Sequence, residues 1–218
     1  MQMLGQALYR GDQSKDALTI FEAQLDWERR LPDFHSDDND TLTLQGNIAD
    51  CYYDLKRYGD AIALRRAVYN KRLAKHGPMD ALVIYDALCM ALSFVQDYFF
   101  EDAKPFLRDL IPRAESVLGK QHQNTLLLRQ LYAEALYKHC YSSLAEVREA
   151  IATLEDVHRM TRQVFGSSHP NCRGVVYHLA EARERLSLQE AAEARSVEDA
   201  SEKLAQGLRI DGDESEAP

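Results

Sequence analysis

Two twelve-residue stretches decide how this chain folds: YGDAIALRRAVY, residues 58–69, and FEDAKPFLRDLI, residues 100–111. Each reads aromatic, any residue, acid, alanine, then apolar residues at helical spacing, and their alanines, Ala61 and Ala103, stand 42 residues apart. A period of this length marks a repeat architecture, in which each unit buries its apolar face only against its neighbours.

The same offset holds upstream. NIADCYYDL (47–55) and CMALSFVQD (89–97) pair Ala49 with Ala91 and Tyr52 with Phe94, so each repeat carries a helix A before its helix B. A further step reaches Ala133 and Leu136 on helix A and Ala145 on helix B; a backward step reaches Gly5, Leu8, Ala17 and Phe21. Small residues recur because two helices approach closely only where no large side chain stands between them. Gly5, Ala49, Ala91 and Ala133 are expected at that contact on helix A, and Ala17, Ala61, Ala103 and Ala145 on helix B. The stripe Leu144, Val147, Ile151, Leu154, Val157, Thr161, Val164 steps by three and four, as one buried helical face does.

Breakers set the limits. Pro32 closes the first helix B, Gly77-Pro78 separates the second and third repeats, Gly119 and Gly166 are C-cap glycines, and Pro170 suits a first helical turn. Pro105 is tolerable near its helix start, whereas Pro112 is expected to kink the third helix B or end it early. The predicted fold class is all-α: a right-handed α-solenoid of antiparallel helix pairs over residues 1–187, divided at about 1–38, 39–78, 79–122, 123–168 and a partial 169–187. A capping helix over 188–209 and a disordered acidic tail over 210–218 complete the expected organisation.

The alternating helices, the alanine positions and the LG-x-x-H punctuation resemble tetratricopeptide repeats of the kinesin light chain type; EDAKPFLRDLI and GSSHPN carry the likeness most closely. The resemblance implies an α-solenoid that binds protein or peptide on the concave face lined by helices A. The inner-face asparagine of that class is present as Asn47 but replaced by Cys89 and Leu131 in the next two repeats. The heptad region that joins kinesin light chains to a motor chain is not among these residues, so motor-adaptor activity does not come with the fold.

The candidate peptide-binding residues are Asp50, Tyr53 and Asp54; Tyr85, Leu92 and Gln96; Gln130, Glu134, Tyr137 and Lys138, continued by Tyr177, Glu181 and Arg185. Aromatics give contact area at low entropic cost, and the acidic excess of Asp50, Asp54, Glu134 and Glu181 over Lys138 and Arg185 favours a basic or amphipathic segment. The expected function is a non-enzymatic protein- or peptide-binding scaffold or adaptor; the alternative is a regulatory or ligand-sensing subunit that controls a separate effector.

Other chemistry finds little support. A net charge of −9 over 218 residues disfavours nucleic acid as partner, and no apolar run approaches a membrane span. Cys51, Cys89, Cys140 and Cys172 form no C-x-x-C pair and read as small buried hydrophobes in a reducing compartment. MQMLGQALYRGDQ (1–13) is too polar for a signal peptide, so a cytoplasmic location is expected. His122 and His169 occupy the same inter-repeat position and are expected to bond backbone groups at a helix start. HSDDNDT (35–41) lacks the glycine and distal glutamate of a calcium loop; Asp40 is expected there as an N-cap. No cofactor or metal is expected, and no nucleophile elbow or phosphate loop is present.

Overall fold

The computed structural model describes residues 1–213, with side chains as far as 201. It consists of α1 (Gln2–Arg10), α2 (Ser14–Glu28), α3 (Asn39–Asp54), α4 (Tyr58–His76), α5 (Ala81–Gln96), α6 (Phe100–Leu118), α7 (Gln123–Lys138), α8 (Leu144–Phe165) and α9 (Pro170–Asp213). No strand occurs among the described residues. Each helix packs on the next, and the odd-numbered helices also touch one another at α1–α3, α5–α7 and α7–α9. In a curved two-layer stack the inner layer is the more closely spaced, so the odd-numbered helices are the inner one.

The small residues do what their spacing implies. Gly5 is buried and Ala49, Ala91, Ala133, Ala17, Ala61 and Ala103 are fully buried. A Cβ at Gly5 would stand 2.4 Å from Phe21 Cε1, which is possible for no real side chain without a shift. Ala145 departs from expectation: it is exposed, and Val147 is the buried fourth residue of its helix, as Ala61 and Ala103 are of theirs. The turn Ser142-Ser143 starts α8 two residues late relative to a strict 42-residue step. Ser143 and Glu146 close a capping box, which fixes that start.

Helix ends follow local chemistry. Gly77, Gly119 and Gly166 have φ of 81°, 95° and 86° with ψ between 154° and 169°. Gly119 and Gly166 cap as expected and Gly77 caps in the same way, all three with extended ψ instead of the left-handed helical ψ of the common glycine cap. This region is open essentially to glycine alone. His122 Nδ1 accepts from Asn124 N and His169 Nδ1 from Asn171 N, each at 3.2 Å, the backbone role expected of both. Asp40 is not the N-cap: Asp38 is, and Asp40 lies in the first turn. Nor does Pro112 end α6, which runs through Pro105 and Pro112 to Leu118. Of the cysteines, all free, Cys51 and Cys172 are buried, Cys89 is half-buried, and Cys140 is exposed because it falls in the turn after α7.

α9 has no break near residue 187. The expected separate cap over 188–209 is the continuation of one helix; Glu190 still pairs with Arg148 of α8 at 2.9 Å, and residues 191–201 are all exposed, so that stretch extends beyond the stack. The expected acidic tail reaches the described residues only at 210–213, which continue α9; 214–218 lie outside them.

The apolar core comes in two parts. One joins α2 and α3 through Ala17, Phe21, Leu25, Leu44, Ile48 and Cys51, with Leu8 and Tyr9 of α1 packed against it; the other runs from Tyr69 on α4 through α9. The seam between α3 and α5, where the two parts meet, holds buried polar side chains beside Leu42 and Val68.

Candidate functional site

α4 supplies the residues that build this seam. Its buried face carries Ala61, Arg65, Val68, Tyr69 and Arg72, so two arginines seven residues apart lie on an otherwise apolar stripe. Arg65 Nη2 bonds Asp50 Oδ1 of α3 at 2.5 Å, while Nη1 donates to Cys89 O at 3.1 Å and to the Ser93 hydroxyl on α5. Arg72 Nη1 reaches both Asp86 oxygens on α5, and Nη2 donates to Thr43 Oγ1 on α3 at 3.3 Å. Two guanidinium groups thus tie α3 to α5 across α4. Planar, always charged and rich in donors, arginine is the residue suited to such a bridge.

Above the bridge lies a cleft of about 200 Å³ walled by Leu42, Asn47 and Asp50 of α3, Arg65 and Val68 of α4, and Leu82, Tyr85 and Cys89 of α5. Leu82 and Tyr85 are 45% and 51% exposed, which leaves their apolar surface available at the mouth. Asn47 Nδ2 is buried in the cleft wall and has no hydrogen-bond partner among the described residues. A buried amide donor left unmade costs about 1–3 kcal/mol, so an acceptor arriving there is favoured. Burial and the nearby Asp50 charge push the Cys89 thiol up to about 11, so it stays protonated at neutral pH and is a poor nucleophile.

The sequence candidates distribute unevenly. Asp50, Tyr53 and Tyr85 do come together around Arg65: the guanidinium lies 5.3 Å from the Tyr53 ring centroid, and Asp50 and Tyr85 line the cleft. Asp54 is exposed and accepts from Ser14 Oγ at 2.9 Å. Leu92 is half-buried against the core and Gln96 is exposed at the end of α5.

Glu134 and Tyr137 overturn their expected exposure, being only 4% accessible each. α9 packs on α7 and covers them. Tyr137 Oη donates to Glu181 Oε2 at 2.6 Å and lies 3.0 Å from His178 Nδ1, whose Nε2 is 3.2 Å from Glu134. Gln130 and Lys138 also bond Glu134. The exposed Tyr177 donates to Glu181, and Arg185 to Cys140 O. These residues join α9 to the stack, and the expected acidic excess is largely consumed by internal partners: Asp50 by Arg65, Glu134 and Glu181 by α7 and α9.

Arg65, Arg72, Asp86, Ser93 and His178 escaped the sequence reading. The signal was present: two arginines interrupt the buried stripe of α4, and Asp86 is the single charged residue in ALVIYDALCMALSFVQ. A charge in an apolar face needs a partner: Arg72 and Asp86 are each other's, and Arg65 takes Asp50.

No family model matches the chain, and no curated protein matches it. Solved structures do. A Podosopora anserina protein of nearly identical TPR-like repeats, described as a kinesin light chain, superposes with a TM-score of 0.69 at 17% identity over 99% of this chain and 95% of that one. The fold is a tetratricopeptide-like solenoid. A point-substituted form of the same fungal protein gives 0.71 at 17% identity over 95% and 94% of the two chains. BtubC (BKLC) from P. vanneervenii gives 0.68 at 14% identity over 99% and 80%. At such identities the likeness is one of architecture. Among the described residues, no helix is long and apolar enough to cross a membrane, and no group of three His, Cys, Asp or Glu is placed to hold a metal.

Proposed function

We propose that the protein is a non-catalytic binding module whose inner cleft, between α3 and α5, takes an amphipathic segment of another protein. The carrying observation is the cleft itself: open apolar surface from Leu82 and Tyr85, over a floor that includes the buried Leu42 and Val68, beside the unpartnered Asn47 amide donor. An apolar side chain of the partner fills the mouth, and a backbone carbonyl next to it accepts from Asn47. Such sites, mostly apolar with a few convergent polar groups, are the usual form of a recognition cleft.

The segment is read chiefly by shape and apolar contact. Asp50, Asp86, Arg65 and Arg72 already neutralise one another, so the cleft carries little free charge. A selection from a displayed random-peptide library tests this reading. Selected peptides are expected to lose affinity for a Leu82→Ala, Tyr85→Ala variant, both positions being exposed enough to change without unfolding the stack. Undiminished binding to the variant contradicts the assignment.

A further inference from the structure

A second cleft lies at the edge of the stack, where the α3–α4 turn faces the α5–α6 turn. It measures about 700 Å³ and is lined by Tyr58, Phe94, Tyr98 and Phe99 together with the carboxylates of Asp97 and Asp102. Tyr58, Tyr98 and Phe99 are 37%, 76% and 49% exposed, so three aromatic faces meet solvent in one place. Tyr98 meets the buried Phe100 edge-on, 5.7 Å between ring centroids, and leaves the rest of its ring in solvent.

The carboxylates give the cleft a sign. Among the described residues, Asp97 Oδ2 is buried with no hydrogen-bond partner, and Asp102 is exposed with no ion pair. The single cation in the described lining is Arg66, whose guanidinium stands 5.9 Å from the Phe94 ring centroid and pairs there with no carboxylate. The lining therefore holds two acids against one base. It already places a guanidinium against an aromatic face while leaving an acceptor unused.

Tyr98 adds a separate indication. Its φ is 62°, the left-handed region, where a bulky aromatic residue is strained; the matching turn positions hold Asp12 and Lys56. The chain thus presents an exposed ring from a backbone position better suited to glycine.

We propose that this edge cleft is a receptor for an arginine side chain of a partner segment. Aromatic faces attract a guanidinium through the ring quadrupole, its planar form stacks on them, and Asp97 and Asp102 accept its N–H groups. The site is distinct from the inner cleft. Tyr53 lies between them, 5.3 Å from the Tyr58 ring on one side and 5.3 Å from the Arg65 guanidinium on the other.

The test uses fluorescence anisotropy of a fluorescein-labelled arginine–glycine octapeptide and its citrulline counterpart, which keeps the planar shape without the charge. The full chain is expected to bind the arginine peptide and to discriminate against citrulline. Tyr98→Gly relieves the backbone strain, so folding is retained while the ring is lost. It and Asp102→Asn are each expected to weaken binding by about two- to fivefold, the scale of an exposed cation–π or charge contact. Arg66→Gln is expected to tighten it, because it frees the Phe94 face and removes the repelling charge. Tyr85→Ala, in the inner cleft, is expected to leave it unchanged. Equal affinity for both peptides, indifference to Tyr98→Gly and Asp102→Asn, or weaker binding by Arg66→Gln overturns the proposal. Loss on Tyr85→Ala alone overturns it too, and assigns the arginine to the inner cleft instead.

Discussion

Arg72 on α4 donates from one guanidinium nitrogen to both carboxylate oxygens of Asp86 on α5, at 2.8 and 2.9 Å, with both side chains at most 10% exposed. The pair sits where the apolar core is interrupted, so its loss is not absorbed by neighbouring apolar contacts. Removing one partner of such a pair leaves an uncompensated buried charge and costs about 3–5 kcal/mol, whereas replacing both by apolar groups is close to neutral. Urea unfolding of Arg72→Met, Asp86→Leu and the double variant should therefore show two strongly destabilised single variants and a double variant much nearer wild type. Additive losses would mean that the pair is not coupled as the geometry implies.

The acids of this seam give stability an unusual pH profile. Burial pushes Asp86 up to about 6 from its ordinary 3.8, with Arg72 opposing, and burial raises Asp50 as well, with Arg65 opposing. Between those two values the folded protein holds a proton on Asp86 that the unfolded chain has released, so this group stabilises the fold as pH falls from about 7 towards 5. Glu146, held down by the Ser143 backbone N–H and by Lys104, and Asp156, held down by Arg129, act the other way. Their contribution is present above the unfolded values and is lost as pH falls through the lowered folded ones. Melting temperature should rise or hold from pH 7 to about 5 and drop below about 4. Asp86→Asn should flatten the upper limb, and a steady fall from pH 7 in the wild type would refute this assignment.

Gly119 offers a backbone test free of packing. A Cβ there meets nothing within 4 Å, yet φ is 95°. Gly119→Ala should cost about 1–3 kcal/mol through backbone strain alone. Thermal melts indistinguishable from wild type would show that the α6–α7 turn relaxes freely.

Gly5 offers the opposite case, a steric test free of backbone strain. It lies inside α1, and Gly5→Ala improves helix propensity there, yet the new Cβ overlaps the Phe21 ring. The overlap should win by about 1–3 kcal/mol. A paired Phe21→Leu change, which withdraws the ring edge, should make the alanine better tolerated. If Gly5→Ala alone stabilises the protein, the α1–α2 contact is looser than described.

The architecture was legible because solenoid packing writes itself into sequence at a fixed period. Ala61 and Ala103 have the same surroundings and so must be the same size. Where the turn lengthened by two residues, at Ser142-Ser143, the period slipped and Ala145 was misplaced. The site was less legible for a different reason. Which face a helix A residue presents is set by its spacing, but whether that face stays open depends on helices added later in the chain. α9 covers Glu134 and Tyr137, and spacing within α7 cannot reveal that. Asp50 likewise reads as a free acid until Arg65, fifteen residues on, is placed against it.

In the proposed function, the inner cleft between α3 and α5 receives a protein segment. Hydrogen-exchange mass spectrometry of the full chain, with and without a peptide selected from the library, tests it most directly. Bound peptide is predicted to slow exchange in the segments that carry the cleft, residues 42–50 of α3 and 82–89 of α5, and to leave α2, α6 and α8 unchanged. Protection confined to the even-numbered helices, or none on α3 and α5 at saturating peptide, would contradict the account.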